Sequence, residues 1–404
     1  MTRVTPGGAR GATRGALVTL SILVAMVAGG ATSSPGATSS AGATSSAGAT
    51  SSPGATSSAG ATSSPGATPH MDLASVPLLA YYYIWYDKGS WDRAKSDQPV
   101  LGPYSSDDES VMRQHIARAK AAGIDGFIVS WKSTTVLDKR LDTLVRLARE
   151  ANFKLSIIYQ GLDFYRDPLP VARIAEDLDF FLSRYASDPV FNLFGKPLVI
   201  WSGTWRFSEA EIAGVTGPRR DRLLMLASER SVEGFARLVG QVDGNAYYWS
   251  SVNPDTSPDY QAKLTAMGAA AHDAGGLWIA PAAPGFNARL LGGTTIVDRQ
   301  DGKMLERQLN VAIRSLPDAI GLISWNEFSE NSQVEPSVAY GDRSLQVLAD
   351  LRKTNLVSTG DFDSSSPAGV DSSPGLGRVL AILAVSAFAL VGAGVAVRRR
   401  RMRR

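Results

Sequence analysis

Between residues 74 and 351 the chain alternates between two hydrophobic rhythms. Short, nearly continuous apolar runs fall at 78–86, 126–131, 155–159, 197–201, 222–227, 244–249, 276–280 and 320–325. Runs of that kind predict strands buried on both faces. Between them, apolar residues recur at helical spacing over 109–122, 139–151, 171–185, 209–215, 232–239, 258–274 and 303–316, and a last amphipathic stretch spans 344–354. Asp138, Ser208, Ser231 and Ser257 stand just ahead of helical stretches, as N-caps do. Eight strand–helix repeats in about 280 residues predict an α/β fold, a single (β/α)8 barrel of the TIM type. An open, doubly wound sheet shows the same alternation, so the count of eight discriminates. No GxGxxG follows the first strand, which removes the usual dinucleotide-binding variant.

The ends follow other rules. Arg3, Arg10 and Arg14 precede an apolar run at 16–28 and the small residues Gly29, Gly30 and Ala31. This layout predicts a secretory signal peptide over residues 1–31. From Gly30 the hexapeptide GATSSP or GATSSA repeats up to Pro69. With no large apolar residue and no charge, residues 32–70 are expected to form a disordered stalk. Residues 379–397 are apolar apart from Ser386 and small glycines. At ~1.5 Å per residue such a helix crosses ~30 Å of hydrocarbon. Arg398, Arg399, Arg400, Arg401, Arg403 and Arg404 follow and mark the cytoplasmic side. The expected order is a folded domain at 71–357 outside the cell, a linker at 358–377, a membrane helix at 378–397 and a basic tail at 398–404. The protein is then a single-pass type I protein of the cell membrane.

Charge and composition narrow the chemistry. The net charge of +3 is a property of the ends, which carry +3 and +7 and leave −7 on residues 71–377. That balance argues against nucleic-acid binding. There is no cysteine, hence no disulfide and no thiolate metal site. His70, His115 and His272 lie far apart, outside any zinc-ligand spacing. No metal or cofactor is expected, and no oligomer interface is indicated, so a monomer is expected.

In a barrel of this type chemistry belongs to the C-terminal ends of the strands. There the run 324–337, SWNEFSENSQVEPS, places Glu327 and Glu330 three residues apart as the last strand gives way to a loop. Acid–base work on an uncharged substrate needs two carboxyl groups held close in different protonation states. Trp325 and Phe328 offer flat apolar surfaces for sugar rings. Other strand ends carry Tyr81, Tyr82, Tyr83, Trp85, Trp131, Tyr159, Trp201, Tyr247, Tyr248 and Trp249. An aromatic rim with scattered carboxylates describes a carbohydrate cleft, and Tyr83 and Trp85 are expected to contact substrate. Within 81–83 only every second side chain can face the barrel. No Gly-rich phosphate loop or Lys/Arg cluster lies at these ends, which argues against phosphoryl transfer.

YYYIWYD at the first strand, GIDGFIVSWK at the second, PGFNARLLGG and DRQDG after the seventh, and above all SWNEFSENSQVEPS resemble glycoside hydrolase family 99. That family comprises endo-α-1,2-mannosidases and mannanases; the related WbsX-like proteins share an NEW-x-EG-type motif. The resemblance implies a (β/α)8 barrel and metal-free, configuration-retaining cleavage of a carbohydrate substrate. Glu327 and Glu330 match the two catalytic glutamates of the family motif NEWHEG. Glu327 would take the proton of the substrate's 2-hydroxyl. Glu330 would act as acid and then base around a 1,2-anhydro sugar intermediate. Trp131, Tyr248 and Arg299 would line sugar subsites, Asn326 would orient the catalytic loop, and Gln333 and Glu335 would hold it in place. Departures are also visible: Phe328, Ser329 and Asn331 replace Trp, His and Gly of the motif. Tyr159, Gln160 and Gly161 stand where a His-x-Glu segment is common, and Asn287 takes the place of an Asp. A non-catalytic surface glycan-binding protein and a factor in surface polysaccharide assembly stay open as alternatives.

Overall fold

The computed structural model describes residues 73–354. The predicted signal peptide, stalk, linker, membrane helix and basic tail lie outside the described residues. Among the described residues no helix is long and apolar enough to cross a membrane.

Eight parallel strands form one sheet: β1 (Leu78–Tyr83), β2 (Gly126–Trp131), β3 (Lys154–Gln160), β4 (Leu198–Ser202), β5 (Leu224–Leu226), β6 (Gly244–Ala246), β7 (Leu277–Ala282) and β8 (Ala319–Leu322). Their order is β5-β4-β3-β2-β1-β8-β7-β6. The two ends of that series meet through the parallel bridge Ala227↔Asn245. There the Ala227 amide donates to the Gly244 carbonyl at 2.9 Å, and the Ala246 amide to the Ala227 carbonyl at 2.8 Å. The sheet therefore closes, as the count of eight strands predicts. Helices α1 (Glu109–Ala121), α2 (Thr135–Glu150), α3 (Val171–Arg184), α4 (Glu209–Thr216), α5 (Val232–Ala236), α6 (Tyr260–Asp273), α7 (Lys303–Ile313) and α8 (Arg343–Thr354) follow the strands in turn.

Capping explains where several helices begin. Ser208 and Glu211 form a reciprocal capping box at α4, and the Ser231 side chain accepts the Gly234 amide at α5. Asp138 does not cap, against expectation. Thr134 caps α2 instead, and the Asp138 carboxylate inside the helix accepts Trp131 Nε1 at 2.9 Å and the Ser133 hydroxyl at 3.0 Å. At α6 Ser257 offers only its backbone carbonyl, to the Tyr260 amide, and Asp259 occupies the N-cap.

Strand alternation divides the core in two. Leu79, Tyr81, Ile128, Ile158, Ile200 and Ile279 fill the barrel interior. Their neighbours Ala80, Tyr82, Phe127, Ile157, Val199 and Ala280 pack outward against the helices. Gly321 of β8 makes room for an interior ring: a Cβ there would sit 2.8 Å from the Tyr81 ring. Its place is set by that close approach.

Candidate active site

The same parity decides which side chains reach the barrel mouth. Continuing the interior rows upward gives Tyr83, Ser130, Gln160, Ser202, Ser228 and Tyr248, which together line an open pocket. The alternate rows end outward. Trp131 is therefore not in the cleft, correcting the expectation that it lines a sugar subsite. It is fully buried against Tyr159 and Phe181, with its indole bonded to Asp138. Tyr82, Tyr159, Trp201 and Tyr247 belong to the same outer layer. The aromatic rim is thus mostly packing, with small polar groups between its inward members.

Tyr83 and Tyr248 are those inward aromatics. Their hydroxyls meet at 2.5 Å, Tyr248 packs edge-on against Tyr81 at 4.8 Å, and Trp85 stacks on Tyr83 at 4.2 Å. Burial pushes both phenols well above their ordinary pKa, and the charges of Glu327 and Glu330 push them further. Both glutamates therefore lie close to this pair, yet neither lines the open pocket: Glu327 is 4% exposed and Glu330 1%.

The loop that carries them is buried over most of its length and bonded on every side. The Ser324 amide donates to the Ser332 carbonyl at 2.7 Å, and the Val334 amide returns to the Ser324 carbonyl at 2.8 Å. Asn326 brackets the end of β1: its Oδ1 accepts the Tyr83 amide at 2.9 Å and its Nδ2 donates to the Tyr83 carbonyl at 2.9 Å. The Tyr86 hydroxyl donates to the Asn326 carbonyl at 2.6 Å. The Glu330 carbonyl accepts the Asn287 amide at 2.7 Å. Glu335 sits beneath in a network of its own, with His115 Nε2 at 3.1 Å and the Tyr104 hydroxyl donating at 2.9 Å. The Tyr82 hydroxyl lies 3.0 Å from His115 Nδ1.

Two further expectations are corrected by burial. Trp325 and Phe328 offer no sugar platform, since both are fully buried, Trp325 against His115 and Phe127 and Phe328 edge-on to Trp91. Arg299 grips the loop instead of facing the pocket: its Nη2 donates to the carbonyls of Asn331 at 3.0 Å and Gln333 at 2.8 Å. Its guanidinium lies 4.2 Å from the Tyr340 ring centre, and burial pushes its pKa down to about 10.

Glu327 is the carboxyl that burial moves toward neutrality. Desolvation pushes its pKa up to about 7, against the opposing pull of the Ser329 amide, which donates to Glu327 Oε1 at 3.1 Å, and of the Lys95 charge. A carboxylate with a pKa near neutrality serves well as a general base. Lys95 carries no signal in the sequence; it lies in the irregular segment after β1, where no spacing rule reaches. The pocket also contains Arg166, Arg230, Trp205 and Trp249, of which Arg166 and Trp205 carry no motif signal either.

Comparison with known proteins agrees with this arrangement. The sequence model of Glycosyl hydrolase family 99 matches residues 87–353. A glycoprotein endo-alpha-1,2-mannosidase-like protein of Danio rerio is 26% identical over 275 residues, covering 61% of this chain and 60% of that protein. The Homo sapiens protein of the same description is 25% identical over 279 residues, covering 61% and 58%. The chain thus spans about 60% of the length of these curated relatives. Among solved structures, the GH99 endo-alpha-mannosidase from Bacteroides thetaiotaomicron shares the fold with a TM-score of 0.60 at 22% identity, covering 68% of this chain and 96% of that one.

Proposed function

Because this chain belongs to Glycosyl hydrolase family 99, we propose that it is a retaining glycoside hydrolase cleaving α-mannosidic or related linkages of a glycan. The observation that carries the reading is the pairing of Glu327 and Glu330 on one buried loop beside Tyr83 and Tyr248, with burial pushing Glu327 up to about 7. Glu327 removes the proton of the substrate's 2-hydroxyl as that oxygen attacks C1. The C1–O bond to the leaving sugar breaks, and Glu330 delivers a proton to the departing oxygen. Water then opens the resulting 1,2-anhydro sugar at C1, giving its proton to Glu330 while Glu327 returns a proton to O2. In an α-mannoside the 2-hydroxyl and the leaving group are trans and both can be axial, which permits this internal attack. The arrangement differs from the common retaining pair in which one carboxylate is itself the nucleophile.

The sequence supports a place for the domain outside the cell, through the basic leader, the uncharged repeat and the arginine-flanked apolar run at 379–397. Protease treatment of intact cells should then release the barrel.

The chemical test is hydrolysis of α-mannan by the full chain, with the anomer of the first product read by NMR. Glu330→Gln should lower the rate at least ~10²-fold, the scale of general acid–base catalysis. Unchanged activity in both Glu327→Gln and Glu330→Gln overturns the assignment. Binding without turnover on any α-mannan oligosaccharide favours the glycan-binding alternative.

A further inference from the structure

The pocket at the barrel mouth holds two guanidinium groups and no carboxylate among its lining residues. Arg166 sits at its edge with φ +69°, a left-handed backbone that a non-glycine residue rarely adopts. A tight turn holds it there: the Asp163 carboxylate accepts the amides of Tyr165 at 2.8 Å and Asp167 at 2.9 Å, and the Asp163 carbonyl accepts the Arg166 amide at 3.2 Å. Arg230 enters from the segment after β5 and lies between two indoles, 3.8 Å from the Trp205 ring centre and 5.9 Å from that of Trp249.

Neither arginine has an ion-pair partner among the described residues. The neighbouring Glu229 is taken by Arg237, which donates to it at 2.7 Å. Arg166 and Arg230 are close enough that the charge of one disfavours the charge of the other, and burial disfavours both. Two half-buried cations facing one cavity with no carboxylate among its lining residues are costly, and an anion between them reduces that cost. A neutral sugar gives only hydroxyl dipoles there.

We propose that this end of the cleft binds an anionic substituent of the glycan, a carboxylate, phosphate or sulfate ester, through Arg166 and Arg230. Guanidinium forks suit all three oxyanions. The inference rests on the hydrolase reading for its account of the cleft, and it refines the substrate from a neutral mannan to a charged one. Of the two arginines, Arg166 also feels the charge of Glu330, whereas Arg230 faces Tyr247 and Glu229. Because the Glu229 charge is already paired with Arg237, the anionic group belongs on the Arg230 side, on a sugar removed from the bond that is cut and away from Glu330. Trp205 and Trp249 supply the apolar faces beside it.

Affinity electrophoresis of the full chain compares neutral α-mannan with three charged forms of the same polymer: C6-oxidised, phosphorylated and sulfated. The expected result is retention at least roughly 10-fold stronger on one or more charged forms, the scale of one charge-assisted hydrogen bond, and which form is preferred identifies the oxyanion. That preference should fall close to parity in Arg166→Gln and Arg230→Gln, while Arg230→Lys keeps part of it. Melting temperatures verify that each variant folds. Equal retention of neutral and charged polymers, no retention of either, or a preference untouched by both Gln variants overturns the inference. Binding is read independently of turnover. A charge preference without hydrolysis therefore sinks the hydrolase reading alone, and hydrolysis without a charge preference sinks this inference alone.

Discussion

The Tyr83 hydroxyl lies 2.5 Å from the Tyr248 hydroxyl, joining the end of β1 to the segment after β6 at the wall of the open pocket. Both tyrosines line the open pocket and both feel the charges of Glu327 and Glu330. The pair is thus a boundary of the reacting site as well as a packing feature. Tyr248→Phe removes one hydroxyl and leaves the Tyr83 phenol without its partner. The expected loss is about 1 kcal/mol, near 5-fold in kcat/KM, with a modest fall in Tm from the unpaired phenol. Steady-state kinetics beside a melting curve measure both. An unchanged kcat/KM means the hydroxyl pair is not on the substrate's route.

Lys95 offers a way to move the pH profile without touching a catalytic group. Burial raises the Glu327 pKa to about 7 and the Lys95 charge pulls the other way. As a base, Glu327 works only when ionised, so kcat/KM should rise as pH climbs through about 7. Lys95→Met removes the charge that favours the carboxylate, and the acid limb should shift to higher pH. A limb that stays in place, with normal folding, means that Glu327 is not the group it reports.

The same carboxyl makes a stability prediction. Between its ordinary value of 4.5 and about 7, the folded protein holds a proton that the unfolded chain has already released. Stability from this group is therefore present below the lower value and is lost as pH rises through that window. Glu327→Gln should flatten that part of the slope. Urea midpoints at several pH values would reveal it, and a wild-type-like slope in the variant contradicts the burial argument.

Glu335 tests what the buried network beneath the loop contributes. It accepts the Tyr104 hydroxyl at 2.9 Å and lies 3.1 Å from His115 Nε2, all three residues being almost wholly buried. Glu335→Ala strands both partners in an apolar setting, at about 1–3 kcal/mol for each unsatisfied group. A clear fall in Tm is expected, and a neutral substitution would mean that water enters and satisfies them.

Reading the chain by period was effective for the scaffold because a parallel barrel buries its strands on both faces and leaves long apolar runs. The site was less legible for one physical reason. At the mouth, orientation depends on the parity of each position within its strand, and parity is set by where pairing begins. Tyr83 and Tyr248 share the interior parity of Tyr81 and Ala246, while Trp131, Tyr159 and Trp201 fall one step off it and pack outward. An aromatic at a strand end looks the same in sequence in either case. Lys95 and Arg166 lie in irregular segments held by local turns, where neither period applies. Glu327 and Glu330 are legible because they stand three residues apart where the last strand ends, inside a motif that resembles the family's.

Arg299 separates a loop-holding role from a sugar contact most sharply. Its Nη2 spans two carbonyls, those of Asn331 and Gln333, on the limb of the loop that follows Glu330. Asn331 has φ +54°, so that limb is held in a left-handed turn just past Glu330. A lysine has donors enough for two carbonyls, but its flexible stem lacks the planar, pre-organised guanidinium that also packs on the Tyr340 ring. In Arg299→Lys the loop loses its register, Glu330 is misplaced, and the transition state suffers more than ground-state binding. The expected signature is a kcat lower by about 10- to 100-fold with KM within about 2-fold, since a misplaced catalytic group removes an interaction made only in the transition state. A side chain that gripped the sugar directly would give the opposite split, a raised KM at nearly constant kcat. Observing that split would return Arg299 to the substrate subsite and leave the anchoring of the loop to its other bonds, those of Asn326 and Glu335 among them.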